Sequence, residues 1–176
     1  MKASVVNRKL HRWGAILIAV PALIVIGSGL VLQLKKEVAW IQPPTAKGST
    51  KELSVSFDRI LAAAAEVEEA GISGWGDVDR LDVRPGKGIV KVRAKSRWEV
   101  QVDTATAEVV QVAYRRSDLI ESIHDGSFFH DKAKLWIFLP SAVVFLSLWG
   151  TGIYLFFLPH LAKRRNKKRR EAAPAS

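Results

Sequence analysis

The 176-residue chain carries 27 Lys and Arg against 17 Asp and Glu and contains no cysteine. The surplus does not mark a nucleic-acid protein, because residues 35–132 hold 15 basic and 16 acidic side chains and the excess lies in the tails. Without cysteines, disulfides and thiolate metal sites are excluded, so a folded region must be held by its own core and its tethers.

Lys2, Arg8, Lys9 and Arg12 open the chain, and from Trp13 to Leu34 no residue is charged. That run exceeds the roughly 20 residues a helix needs to cross a hydrocarbon core, and a soluble core helix seldom stays apolar on every face over such a length. Residues 1–12 therefore read as a cytoplasmic segment and 13–34 as a transmembrane helix. Lys35-Lys36-Glu37 follows with no small-x-small cleavage site, which predicts an uncleaved signal anchor.

Residues 35–52 read as a linker, in which Pro43-Pro44 and Gly48 predict an extended, semi-rigid spacer. The spacing predicts a folded domain over 53–116. Ser56 is placed to cap a helix whose Phe57, Ile60, Leu61, Ala64 and Val67 recur at helical intervals, with Gly71 placed to end it. Ser73-Gly74-Trp75-Gly76 reads as a loop with a surface Trp. The period then changes to two, predicting strands at Val78–Arg84, Ile89–Lys95, Trp98–Asp103 and Glu108–Tyr114.

In the second strand Val90, Val92 and Ala94 share one face; in the third Trp98, Val100 and Val102 do. These faces must coincide, so the hairpin between them needs an odd-length loop, since a two-residue turn would place Lys95 beside Trp98. Ser96-Arg97-Trp98 as the loop sets Lys95 against Glu99 and Lys91 against Asp103, as cross-strand charge pairs worth a few tenths of a kcal/mol each. One helix on an antiparallel sheet is a small α+β layer.

Residues 117–134 read as a juxtamembrane segment, 135–158 as a second transmembrane helix and 159–176 as a basic cytoplasmic tail. Between Leu135 and Ala162 there is no Asp, Glu, Lys or Arg, and the one histidine is His160. Lys163, Arg164, Arg165, Lys167, Lys168, Arg169 and Arg170 follow, and tails so rich in Lys and Arg stay in the cytoplasm. The fold class expected is thus a membrane protein in which two antiparallel transmembrane helices flank a small extracytoplasmic α+β domain. Trp13 and Trp136 are expected as interfacial anchors, and Trp149, lying deeper, is expected to pack against a neighbour.

Several of these residues carry a family resemblance. The helix, the hairpin and the run Val102-Asp103-Thr104-Ala105-Thr106-Ala107-Glu108-Val109 resemble a PepSY domain, whose strand ends in an Asp-Ala-x-Thr-Gly-Glu-like turn; here Ala107 stands where Gly is usual. Arg8-Lys9-Leu10-His11-Arg12-Trp13, Ile123-His124-Asp125-Gly126 and Thr151-Gly152-Ile153-Tyr154-Leu155 are similar to segments of PepSY-associated transmembrane proteins. The likeness covers nearly the whole chain, in a minimal two-span form. It implies a bacterial inner membrane, and for some relatives siderophore-iron reduction with haem in the membrane.

The four histidines all lie outside the predicted domain. His11 and His160 flank the cytoplasmic ends of the spans and are expected at similar depth; His124 and His130 precede the second span on the outer side. Two levels of histidine suit a haem relay, because neutral imidazole is a common axial ligand. The ordinary reading of an interfacial histidine is a wetted boundary residue. Small residues at Ala15, Ala19, Gly150 and Gly152 admit either a flat ring or close helix contact.

On the haem reading the cofactor is haem b, with His11 and His160 as candidate ligands to an inner group and His124 and His130 to an outer one. Two helices cannot wall a haem on every side, so this reading requires a homo-oligomer or a partner membrane protein. The competing reading is a non-enzymatic interaction or regulatory module whose outer domain binds a partner protein. A third, lipid binding by the basic tail, adds little because topology already explains those charges. Glu66, Glu68 and Glu69 read as a solvated helix end rather than a metal site.

Overall fold

A computed structural model describes residues 3–171; residues 1–2 and 172–176, the extremities of the two predicted tails, lie outside the described residues. The chain divides into two units, a helix pair (residues 1–27 and 124–176) and a sheet lobe (Ser28–Ile123).

Helix α1 runs Ala3–Gln33, so the basic segment before Trp13 continues the helix instead of preceding it. The second long helix starts as a π-helical turn, Lys134–Phe138, and continues as α4, Leu139–Glu171. It therefore passes the expected end of the span at Leu158 and carries Pro159 inside it. Val5–Gln33 and Lys134–Arg164 are both long and apolar enough to cross a membrane. Trp13, Trp136 and Trp149 are all largely exposed, so the neighbour expected for Trp149 is not supplied by this chain's described residues.

In the lobe, Ser56 caps α2 (Phe57–Ala65) by accepting a hydrogen bond from Arg59 N at 3.4 Å. The helix stops short of Gly71. Val67 turns extended, a 3₁₀ turn follows at Glu68–Ala70, and Gly71 closes that turn in the left-handed region at φ 61°. The break lets Ala70 and Ile72 join Ile60 and Ala64 in the core.

Four strands, β1 (Val78–Arg84), β2 (Ile89–Ala94), β3 (Trp98–Asp103) and β4 (Val109–Tyr114), form an antiparallel sheet in sequence order. Val90, Val92, Val100 and Val102 pack together with α2. The β2–β3 loop is odd, as the coincident apolar faces require, but it lies one residue earlier than expected. Arg93 faces Glu99 and Lys91 faces Gln101, a shift of two residues in register. The loop is Lys95-Ser96-Arg97, closed by Arg97 N donating to Ala94 O at 3.0 Å with Arg97 at φ 72°, the geometry of a three-residue hairpin ending in a left-handed residue.

The expected juxtamembrane segment contains a helix that periodicity did not disclose, α3 (Arg116–Asp125). Gly126 ends it at φ 84°, and the ring of Phe138 lies where a Cβ would have to stand. Asp125 takes Lys134 Nζ at 2.7 Å and the Ser127 hydroxyl at 2.7 Å. Burial alone would raise that carboxyl; these donors outweigh it and hold it near 2.

Candidate functional site

Within the helix pair, His11 meets Thr151 and Gly14 meets Leu148, so α1 and α4 run antiparallel along this contact. Small residues make that approach feasible: a Cβ on Gly14 would stand 3.1 Å from Leu148 Cδ2, and one on Gly152 would stand 3.6 Å from His11 Cε1.

His11 Nδ1 lies 3.0 Å from Thr151 Oγ1, and that hydroxyl also lies 3.0 Å from the Leu148 carbonyl. A carbonyl only accepts, so the Thr151 proton goes to Leu148 O and the hydroxyl's lone pair faces the ring. His11 is therefore the donor through Nδ1–H, which leaves Nε2 as the ring nitrogen able to offer a lone pair to a ligand. This is how a metal-binding histidine is ordinarily prepared, with the second nitrogen pinned by an acceptor.

His160 does not join it. It lies nine residues beyond Thr151 on α4, about 13 Å along the axis at ~1.5 Å per residue, exposed and near Phe156 at 6.0 Å between ring centroids. The similar depth expected of His11 and His160 is thus replaced by a stagger, because the helices pair His11 with Thr151. On the other side, His130 is exposed and its Nδ1 accepts from Lys132 N at 3.0 Å, which puts the neutral ring's proton on Nε2, the opposite tautomer to His11. His124 sits half-buried in the last turn of α3. Among the described residues no cluster of three or more His, Cys, Asp or Glu is disposed to hold a metal ion.

The lobe holds a second constellation that the sequence did not disclose. The polar face of the sheet is buried: Glu99 and Gln101 are 0% exposed, and Lys91, Asp103 and Arg115 are nearly so. Glu99 accepts from Lys91 Nζ at 3.0 Å and Arg115 Nη1 at 2.7 Å, and Arg93 Nε stands 3.6 Å away. Arg115 also bonds Asp118 at 3.1 Å.

What covers this face is the predicted spacer. It is extended, as its prolines require, but lies across the sheet as a strap. Gln101 donates to Pro44 O and accepts from Ala46 N, each at 2.8 Å, while Gly48 N donates to Lys87 O at 2.8 Å. Asp103 accepts from the N–H groups of Ser49, Ala105 and Thr106. Burial alone would raise the Asp103 carboxyl, but these donors and the Ser49 hydroxyl bring it down to about 2. Gly88 is obligatory beneath the strap: it sits at φ 66°, and a Cβ there would strike the Thr50 carbonyl.

Where α1 gives way to the strap, Lys35 pairs with Glu121 at 2.9 Å and Ile41 O accepts from Ser117 N at 2.7 Å. The Arg116 guanidinium lies 4.6 Å from the Trp40 ring centroid. The polar face is thereby closed, and it offers structure rather than a reaction centre.

A family model described as the PepSY-associated TM region matches residues 8–173. No curated protein and no solved structure matches the chain.

Proposed function

The chain belongs to the PepSY-associated transmembrane family and is a membrane protein; from that premise we propose that it serves transmembrane electron transfer, with haem b bound through His11. The chain lies in a bacterial inner membrane, both ends in the cytoplasm and the sheet lobe outside, as the basic tails favour. The observation that carries the haem reading is the fixed tautomer of His11, which presents the Nε2 lone pair from a ring anchored on a neighbouring helix. Haem would supply one-electron chemistry, extending to reduction of ferric complexes.

The residues fit this group in part. His11 has the donor chemistry and Gly152 leaves room beside its ring, but the stagger of His160 leaves His11 without a second imidazole at its own level. A second copy or a partner membrane protein completes the set, and His160, His124 and His130 remain candidates for other levels. Reduced-minus-oxidised spectra of the full chain, purified in detergent from haem-replete membranes, test the reading. A Soret band that shifts on dithionite and is lost in His11→Ala is expected; a colourless wild-type protein would overturn it.

A second reading, a non-enzymatic module whose lobe binds a partner protein, is favoured by the rigid, strap-clamped sheet with an open edge at β4. A colourless chain recovered with a stoichiometric partner of different sequence supports that reading.

A further inference from the structure

The segment that leads into the second span folds back onto it. Phe129 N donates to Gly126 O at 3.1 Å and Ala133 N to His130 O at 2.9 Å, and between these turns the Phe129 ring stacks on Phe138 with 6.1 Å between centroids. Phe138 ends the π-helical turn that opens the apolar helix, so the loop reaches the level where that helix is already apolar. Exposed Phe128 and Phe129 meet lipid there at little cost.

An open recess beside this loop is lined by His130, Lys132, Ala133, Trp136 and Ile137. Trp136 N donates to Lys132 O at 3.0 Å, so the backbone is helical here and Lys132 and Ala133 stand one turn outward of Trp136 and Ile137. His130 Nδ1 accepts from Lys132 N at 3.0 Å, which holds the ring next to Lys132 with its proton on Nε2. The lining is therefore graded, from a cation and a ring N–H to an indole and a branched aliphatic chain. Neighbouring charges do not cancel it: Lys134 is tied to Asp125 at 2.7 Å, Lys132 forms no ion pair among the described residues, and Asp131 is exposed and outside the lining.

We propose that this recess holds an anionic phospholipid, with its phosphodiester on Lys132 and His130 and an acyl chain along Trp136 and Ile137. The two ends match the two halves of an amphiphile in the right order, since Trp sits at the headgroup level and Lys attracts anionic headgroups. A headgroup with no ammonium of its own gains most from Lys132, so phosphatidylglycerol is preferred to phosphatidylcholine. His130 thereby has a role independent of haem, and a colourless protein leaves the proposal standing.

Photolabelling tests the recess apart from any attraction of lipid to the basic tail. The full chain is reconstituted in phosphatidylcholine vesicles doped with phosphatidylglycerol that carries a diazirine near the top of one acyl chain, or with phosphatidylcholine tagged in the same way. Adducts are then mapped by peptide mass spectrometry. Phosphatidylglycerol should label residues 130–137 several-fold more than phosphatidylcholine does. Lys132→Glu should abolish that preference and Lys132→Arg should keep it, with adducts elsewhere on the chain unchanged in both; His130→Ala should lower it several-fold. Excess glycerol phosphate should leave the labelling intact. Equal labelling by the two lipids, a preference that survives Lys132→Glu or is lost equally in Lys132→Arg, or displacement by glycerol phosphate, which marks a site for a soluble anion, would overturn the proposal.

Discussion

Within the sheet lobe, Glu99 is 0% exposed with Lys91, Arg93 and Arg115 around it, whereas Leu17 in the helix pair is 76% exposed among the described residues. In water both would be costly, an ion without solvent and an oil-like side chain in solvent. The contrast shows two solutions to two surroundings. The lobe had to satisfy its polar face internally and recruited the strap to do so; the helices face lipid, where exposed leucines cost little.

The contrast breaks most sharply at Glu99. Glu99→Ala leaves Lys91 buried without the carboxylate it donates to and takes from Arg115 the partner it holds besides Asp118, and thermal unfolding of the full chain in detergent should register a loss of about 3–5 kcal/mol. Next is Asp103, whose carboxyl is lowered from 3.8 to about 2. As pH falls the unfolded chain takes up this proton first, so the stabilisation is complete above about pH 4 and gone near pH 2. Asp103→Asn should lower stability at neutral pH by roughly 2 kcal/mol and flatten part of the wild-type decline between those values in pH-dependent melts.

Ala107 sits at φ 67°, a conformation glycine adopts freely, so Ala107→Gly should raise the melting temperature by a degree or more, corresponding to about 0.5–1 kcal/mol. The smallest effect belongs to the helix pair: Leu17→Ala should change unfolding by less than about 0.5 kcal/mol. A loss of about 2–5 kcal/mol there would mean that Leu17 packs like a core residue.

Much of the lobe was legible because its signals are local. Ser56 and the alternation of Val90, Val92, Val100 and Val102 need no distant partner to be read. The hairpin's parity was equally legible, but its register was not, since that depended on Arg97 accepting a left-handed conformation usually given to Gly or Asn. The strap was read as a spacer because its bonds to Gln101 and Asp103 join residues more than fifty positions apart. The sequence sets Lys91 against Asp103 and Lys95 against Glu99, and the buried Lys91–Glu99 ion pair stays hidden because it depends on that same distant cover. Of the histidines, position alone suggested all four; only the third partner, Leu148 O accepting from Thr151, distinguishes His11 by its tautomer.

The proposed electron-transfer function requires the lobe and the chain ends to lie on opposite sides of a bilayer. Single cysteines in this cysteine-free chain, at exposed Glu69 in the lobe and at Arg8 and Arg164 near the ends, can be reacted with a membrane-impermeant maleimide applied to the outer face of the membrane that holds it. Glu69→Cys should label while that membrane is intact, and Arg8→Cys and Arg164→Cys only after it is breached. Labelling of either end in intact membranes, or of Glu69→Cys only after breaching, would contradict the topology from which the electron-transfer reading proceeds.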